Sequence, residues 1–266
     1  MIDTHCHLDF PIFDTDRDAV LQRSRDAGVH HWLIPAVTLQ GLLRMQPLQA
    51  AGISMAVGLH PMFMADHPSD PDHAVALLEP WLERLSAVAI GEVGLDYWHK
   101  PDDAARAAQK GLLDAQIQLA KRHQLPLILH IRKAQDDVLA LLRKRHFAYG
   151  GIVHAYSGSA QQAAQFIKLG FKLGLGGVMT WPGSRKVRGM AQQLPLESFV
   201  LESDAPDLPT HQRAGERNEP ACVAEVAQEL ALLRQEPLER IIQMTGQSLQ
   251  QVLPKMAGLP KSGVDE

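Results

Sequence analysis

Two histidines separated by one residue, His5 and His7, lie near the start of the chain, in Ile2-Asp3-Thr4-His5-Cys6-His7. If this segment is a strand, side chains alternate between its faces, so both imidazoles project to one side and Cys6 to the other. Two convergent imidazoles can begin a metal site, although a His-x-His pair alone is weak evidence. The interpretation therefore depends on metal-binding residue types elsewhere in the chain.

Further candidate ligands follow short apolar segments along the chain. We identify these additional metal ligands as Glu92, His130, His154 and Asp204. Several histidines with two carboxylates favour a divalent transition metal, Zn²⁺ or Mn²⁺, over a Mg²⁺ site built mostly from oxygen. Because one open catalytic ion takes about three protein ligands, the set predicts two divalent ions per chain. Zinc is the favoured metal, with manganese or magnesium as alternatives.

A pair of metal ions has a characteristic chemistry. Two ions about 3.5 to 4 Å apart can share a carboxylate, hold an activated hydroxide at neutral pH and clamp both oxygens of an in-line displacement. Phosphate esters are the natural substrate class for this arrangement.

The segments that contain these residues alternate with amphipathic helical patterns, as in repeated βα units around a parallel sheet. We predict strands at Met1–His7, His31–Val37, Ile53–Pro61, Ala87–Asp96, Pro126–Ile131, Gly150–Gly158, Phe171–Val178 and Phe199–Pro206. Helical patterns between them include Arg17–Ala27, Asp102–His123 and Ala160–Leu169, with Gly28 and Gly170 as C-caps. Eight strands with intervening helices predict an α/β fold, the (β/α)8 TIM barrel.

Active sites of such barrels lie at the carboxyl ends of the strands. The candidate residues follow this rule: His5 and His7 end strand 1, His60 ends strand 3, Glu92 lies late in strand 4, His130 ends strand 5, His154 lies past the middle of strand 6, and Asp204 ends strand 8. Because buried imidazoles and carboxylates are costly without partners, their convergence on one mouth favours bound metal ions.

Composition limits the remaining possibilities. The 266 residues, with 45% hydrophobic content, favour one domain spanning residues 1–266. A net charge of -4 excludes a basic field over the whole surface, so any nucleic acid must be gripped locally. A last helical stretch, Pro237–Leu253, is expected outside the barrel, and Ala257–Glu266 is expected to be a frayed tail.

The cysteines and the apolar segments predict a location. Only Cys6 and Cys222 are present, which indicates a reducing compartment. The ligands begin at His5, so we expect no cleavable signal peptide, and no apolar run reaches the roughly 18 residues of a membrane span. We therefore predict a cytoplasmic protein with no membrane association and no obligate protein partner.

Five motifs together resemble the signatures of TatD-type metal-dependent hydrolases, over Met1 to about Leu253. They are Ile2-Asp3-Thr4-His5-Cys6-His7-Leu8-Asp9, Gly58-Leu59-His60-Pro61, Ala89-Ile90-Gly91-Glu92-Val93-Gly94-Leu95-Asp96-Tyr97, Leu201-Glu202-Ser203-Asp204-Ala205-Pro206 and Arg217-Asn218-Glu219-Pro220. The resemblance implies an amidohydrolase-like TIM barrel, a two-metal centre and deoxyribonuclease activity.

The resemblance also implies roles for individual residues. His5, His7 and Asp204 would bind the first ion, and His130 and His154 the second. The bridging carboxylate would be Glu92. The general base that orients and deprotonates the water would be Asp204. A substrate phosphate or the leaving group would contact His60.

Other residues are candidate substrate contacts. Arg132 follows a ligand, and its guanidinium can bind phosphate bidentately. Arg217 and Asn218 belong to a family-like motif in the loop Asp207–Pro220, which is either a substrate-contacting lid or a solvated loop. Trp181 and Tyr156 lie just past strand ends, where an aromatic ring either stacks on a base or covers the barrel rim.

These observations predict a metal-dependent phosphodiesterase with Asp204 and Glu92 as catalytic residues. Its substrate would be DNA, which makes it a deoxyribonuclease, or a small phosphodiester. One alternative is an amide or lactone hydrolase on the same barrel. A second alternative is a non-catalytic metal- or nucleic-acid-binding protein, but Asp204 argues against it because binding needs no general base.

Overall fold

In a computed structural model that describes residues 1–256, eight parallel strands form one nearly closed barrel, as predicted. The strands are β1 (Ile2–Asp3), β2 (His31–Pro35), β3 (Ile53–Val57), β4 (Ala89–Asp96), β5 (Leu127–Arg132), β6 (Gly151–Val153), β7 (Phe171–Leu175) and β8 (Phe199–Leu201). Each strand pairs in parallel with the next one along the chain. The predicted tail at residues 257–266 lies outside the described residues.

The first and last strands meet beyond their regular ladders. The amide of Thr4 donates to the carbonyl of Leu201 at 3.0 Å, and the amide of Asp204 donates to the carbonyl of His5 at 2.9 Å. A parallel bridge joins Cys6 to Ala205. These bonds bring the His5–His7 segment and Asp204 together, although they are far apart in sequence.

Helices cover the outside of the barrel. They are α1 (Arg17–Asp26), α2 (Leu39–Met45), α3 (Pro71–Arg84), α4 (Asp103–His123), α5 (Gln135–Lys144), α6 (Ala160–Lys168), α7 (Arg185–Gln193), α8 (Val223–Arg234) and α9 (Leu238–Val252). The predicted bounds of α1, α4 and α6 agree to within one residue. Gly28 and Gly170 lie one position past the C-caps, with φ of +84° and +83°. Among the described helices, none is long and apolar enough to cross a membrane.

The last helix differs from the prediction at its C-terminal end. The body of α9 packs against α8 and β8. The C-terminal end of α9 makes further contacts. Leu249, Val252 and Leu253 form one buried cluster with residues from six strands, including Leu33 and Ile128. Residues from strands all around a barrel can share one cluster only in its interior. The end of α9 therefore closes the barrel interior, where its apolar side chains are removed from water.

Gly94 supports the geometry of β4 beside β5. Its φ is +154°, and a Cβ there would overlap the carbonyl oxygen of His130. We expect Gly94→Ala to lower the free energy of unfolding by about 2 kcal/mol, within the range for overpacking. Gly189→Ala is the control, because this helical glycine faces open space and alanine favours a helix by about 0.5 to 1 kcal/mol. Equal urea midpoints for Gly94→Ala and the wild type would contradict this expectation.

Candidate metal centre

The predicted ligands converge at one mouth of the barrel, but most lie beyond the regular strands. His5 and His7 follow β1, His60 follows β3, His154 directly follows β6, and Asp204 follows β8. Single backbone bonds continue the sheet there: the amide of His154, for example, donates to the carbonyl of Leu129 at 3.0 Å. The predicted strands were therefore too long: the chain turns at His154 and Ala155 directly after β6, and Asp204 after β8 has a φ of +60°. Glu92 lies in the middle of β4 rather than late in it.

The carboxylate of Glu92 lies between two pairs of imidazoles. Its Oε2 is 3.1 Å from Nε2 of His5 and 3.4 Å from Nε2 of His7. Its Oε1 is 3.1 Å from both Nε2 of His60 and Nδ1 of His130. Only 2% of this residue is exposed to solvent. Each carboxylate oxygen thus faces a separate histidine pair, which is the arrangement expected of a carboxylate that bridges two ions.

Asp204 completes the first set of ligand atoms. Its Oδ1 is 3.7 Å from Nε2 of both His5 and His7, and those two nitrogens are 3.3 Å apart. Three groups among the described residues have ligand atoms within 4.8 Å of one another: His5, His7 and Asp204; His5, Glu92 and His154; and His60, Glu92 and His130. Imidazole nitrogens converging with carboxylate oxygens suit a divalent transition metal.

These three groups agree with the first ligand set implied by the family resemblance and differ from the second. The predicted first set, with His5, His7 and Asp204, lies together. The predicted pair of the second ion, His130 and His154, is farther apart, with ring centroids at 6.2 Å. The structure groups His130 with His60, and His154 with His5. His60, expected at the substrate, is therefore positioned equally well to be a ligand.

Burial determines the protonation of the first histidine pair. Desolvation lowers the pKa of His5 well below its usual value and the pKa of His7 to about 4. Both imidazoles are therefore neutral at pH 7, which is the form that binds a metal. For Glu92, burial by itself would raise the pKa, but the neighbouring His60 and His5 hold the pKa well below its usual value. The carboxylate is therefore charged.

Sequence reasoning missed Glu202, which is fully buried beside His154. Its Oε1 is 3.1 Å from Nδ1 of His154 and accepts a hydrogen bond from the amide of Ala155 at 2.6 Å. Burial opposes a charge on His154, yet the carboxylates of Asp204 and Glu202 outweigh it and raise the pKa of His154 to about 10. A Cβ at Gly174 would overlap the Glu202 carboxylate. The available signal was spacing, since Glu202 and Asp204 are two residues apart in the predicted strand Phe199–Pro206, where alternation would put them on one face.

Asp96 is the second residue that sequence reasoning missed. Its Oδ2 is 3.0 Å from Nε2 of His130, and its Oδ1 accepts a hydrogen bond from the amide of Trp98 at 2.8 Å. Burial lowers the pKa of His130, but its contacts with Asp96 and Glu92 outweigh that effect and raise it. Because Glu92 and Asp96 are four residues apart on β4, strand alternation puts them on one face. That spacing could have identified Asp96.

The site opens into a cavity of about 480 Å³ at the barrel mouth. Its wall includes the four imidazoles of His7, His60, His130 and His154, and also Arg132, which was predicted as a substrate contact. From the loop after β8, Asp207 and Leu208 reach this wall. Arg132 thus presents a cation on the wall of the cavity that contains the candidate ligands.

The structure does not bring Arg217 and Asn218 to the cavity wall. The guanidinium of Arg217 forms an ion pair with Asp16 at 2.6 Å, away from the candidate ligands. The amide of Asn218 is fully buried and donates to the carbonyls of Ser203 and Asp207 at 2.6 and 2.7 Å. In this structure both residues hold the loop that follows Asp204 in place.

The comparisons with known proteins agree with this geometry. Residues 2–254 match the family described as TatD related DNase. The metal-dependent hydrolase YjjV of Escherichia coli K12 is 42% identical over 251 residues, which cover 91% of this chain and 93% of YjjV. Human deoxyribonuclease TATDN3 is 30% identical over 273 residues, which cover 97% of this chain and 96% of TATDN3. The crystal structure of YjjV, a TatD homolog, has a TM-score of 0.89 and 39% identity, covering 96% of this chain and 98% of the other. This chain therefore belongs to the TatD-related DNase family and is a metal-dependent hydrolase.

Proposed function

We propose that this protein is a deoxyribonuclease that uses two divalent ions, with zinc favoured, to hydrolyse phosphodiester bonds. The observation that supports this proposal best is the position of Glu92, whose two oxygens face separate histidine pairs at 3.1 to 3.4 Å. One ion could not use all the imidazoles and carboxylates around this carboxylate, since an open catalytic site takes about three protein ligands.

Asp204 is suited to the role of general base. Burial raises the pKa of this carboxyl to about 7, despite the opposing effect of His154. Divalent ions held beside His5 and His7 would lower this pKa, so that the carboxylate is charged and can accept a proton from water. When bound, divalent ions supply Lewis acidity to the water and to the phosphate. Asp204 then orients the water through one oxygen and accepts its proton.

The substrate class follows from the wall of the cavity and from a relative. Arg132 on the wall presents a guanidinium, which matches the geometry of phosphate oxygens. A relative that covers almost the whole chain, human TATDN3, is named a deoxyribonuclease. Both observations favour DNA over the amides and lactones that the same centre could hydrolyse in principle.

Paired hydrolysis assays test this function. The metal-free protein is reconstituted with Zn²⁺, Mn²⁺ or Mg²⁺ and assayed on single-stranded DNA, duplex DNA, RNA, lactones and amides. We expect metal-dependent cleavage of DNA, with little turnover of the acyl substrates. Turnover of lactones or amides without cleavage of nucleic acid would reject the nuclease proposal and favour an acyl hydrolase.

Elemental analysis tests the number of ions. We expect two per chain after reconstitution, and about one for His130→Ala, because that variant removes a ligand on only one side of Glu92. The exposed His73 on α3 provides a matched control, and His73→Ala should retain two ions. One ion in the wild type, unchanged in His130→Ala and His154→Ala, would contradict the two-ion centre.

The salt dependence of binding tests how DNA is held. The sequence puts five cations in segments that follow predicted strands and so near the mouth: Lys100, Arg132, Lys133, Arg213 and Arg217. In the structure, Arg213 and Arg217 are paired with carboxylates at 2.7 and 2.6 Å. The remaining cations are Lys100, Arg132 and Lys133. Each neutralised phosphate contributes about -0.7 to the log–log salt slope on single strands, so we expect a slope of roughly -2 for binding by Asp204→Asn. A slope near -6, or a preference for uninterrupted duplex, would indicate a longer basic track.

A further inference from the structure

Trp98 differs from the two aromatic residues that the sequence suggested for base stacking. Tyr156 is buried, and its hydroxyl donates to the carbonyl of Ser159 at 2.8 Å. Trp181 already has partners within the protein, because its Nε1 donates to the carbonyl of Pro209 and its ring packs against His211. Trp98, just after β4, is 51% exposed. It therefore has an indole surface available to a ligand.

Two cations lie against this exposed indole. The guanidinium carbon of Arg132 is 4.6 Å from the ring centroid, and Nζ of Lys133 is 5.7 Å from it. The ion pair of Arg132 with Asp96 is long, at 3.8 Å. Within residues 1–256, Lys133 forms no ion pair. This part of the mouth thus combines an aromatic face with positive charge that protein carboxylates barely neutralise.

Asp96 connects this surface to the candidate metal centre. One oxygen of its carboxylate accepts a hydrogen bond from the amide of Trp98, and the other contacts His130, which itself contacts Glu92. The side chain of Arg132 also lines the cavity that contains these ligands. The backbone of Trp98 is therefore anchored next to the candidate ligands, and its indole lies against Arg132, which lines their cavity.

We propose that Trp98, Arg132 and Lys133 form a nucleotide subsite for the residue next to the scissile phosphate in single-stranded DNA. This inference rests on the proposed nuclease function. The indole stacks on the base, and the two cations contact the flanking phosphates. Aromatic rings beside cations are the usual means of binding single strands without reading sequence. A base paired within a duplex cannot stack on the indole, so the subsite favours single strands and frayed ends.

Binding to short oligonucleotides tests the subsite. The Asp204→Asn protein binds a labelled single strand, and then a set of strands in which each base in turn is replaced by an abasic residue. We expect Trp98→Ala, added to Asp204→Asn, to weaken binding of the intact strand about 10-fold, within the range of base–aromatic stacking. Trp98→Phe should restore most of the affinity. One abasic position should weaken binding by a similar factor, and only when Trp98 is present.

Cleavage assays without the Asp204 substitution give an independent readout. Trp98→Ala should raise KM for single-stranded DNA about 10-fold, with a smaller effect on kcat, because the ring contacts a base and not the reacting atoms. Trp181→Ala is the comparison at the rim and should raise KM much less, because its indole is engaged with Pro209 and His211.

Two results would overturn the subsite while leaving the nuclease function intact. One is normal affinity in Trp98→Ala while the wild type cleaves DNA. The other is an equal loss of affinity in Trp181→Ala, which would indicate a general effect on the rim. Failure of the metal-loaded wild type to cleave any nucleic acid would reject the proposed function, and the subsite with it.

Discussion

Replacing Asp204 by asparagine is expected to lower the turnover number at least about 100-fold, the low end of the contribution of a positioned acid or base. Asparagine keeps the size of the side chain but cannot accept a proton from water. The contacts of Asp204 with His5, His7 and His154 are 3.6 to 3.7 Å long, so the fold should persist. The measurement is turnover at saturating metal, with metal content and circular dichroism recorded for the same samples.

Asp207→Asn is the matched control for this experiment. Asp207 lies on the wall of the same cavity, three residues further along, but belongs to none of the candidate ligand groups. It should lose much less activity than Asp204→Asn. Near wild-type turnover in Asp204→Asn at full metal occupancy would exclude Asp204 as the base. His60, which also lines the cavity, or a water network would then be the better candidate.

Replacing Glu92 by glutamine should remove at least one ion and lower activity by at least about 100-fold. Replacing an outer-shell partner of a metal ligand already lowers metal affinity or activity about 10- to 100-fold. Replacing a direct bridging ligand should lower them by no less. The amide keeps the shape of the side chain but removes the negative charge between the two histidine pairs. Elemental analysis and turnover on the same preparation give the two measurements.

Glu202→Gln is the comparison for Glu92→Gln. Glu202 contacts His154 and no other candidate ligand imidazole at hydrogen-bond distance. We therefore expect Glu202→Gln to lower activity about 10- to 100-fold and to retain both ions. Two ions and full activity in Glu92→Gln would show that Glu92 does not bridge. An equal loss of metal in both variants would show that the centre responds to any loss of charge.

Much of the fold and the site could be predicted because both follow from local patterns. Apolar strand segments alternating with amphipathic helices indicated the (β/α)8 barrel, and α4 begins and ends within one residue of the prediction. Strand ends were less accurate. β6 ends at Val153 and the chain turns at His154 and Ala155, where a single backbone hydrogen bond still joins it to β5, and sequence patterns do not mark where the regular ladder stops.

Sequence alone determined which residue types reach the barrel mouth, because parallel strands in a closed barrel all end on the same side. It therefore identified His5, His7, Glu92, His130, His154 and Asp204 as candidate ligands, and the structure brings all of them to one site. Periodicity also placed their side chains on the inner face. Both predictions use only local information, since each candidate ligand is identified within its own strand segment.

Only the tertiary structure decided how those residues are paired and what their neighbours do. It placed His60 with His130 on one oxygen of Glu92, gave Asn218 a buried role in the loop, and left Trp98 exposed beside two cations, of which Arg132 lines the cavity. Each outcome depends on distances between groups that are far apart in sequence or on different elements, from 2.6 Å for Asn218 and Ser203 to 4.6 Å for Arg132 and the Trp98 ring. Such distances are determined by barrel curvature, by helix packing and by which competing partner is nearer, and none of these is present in the spacing of residues along one strand.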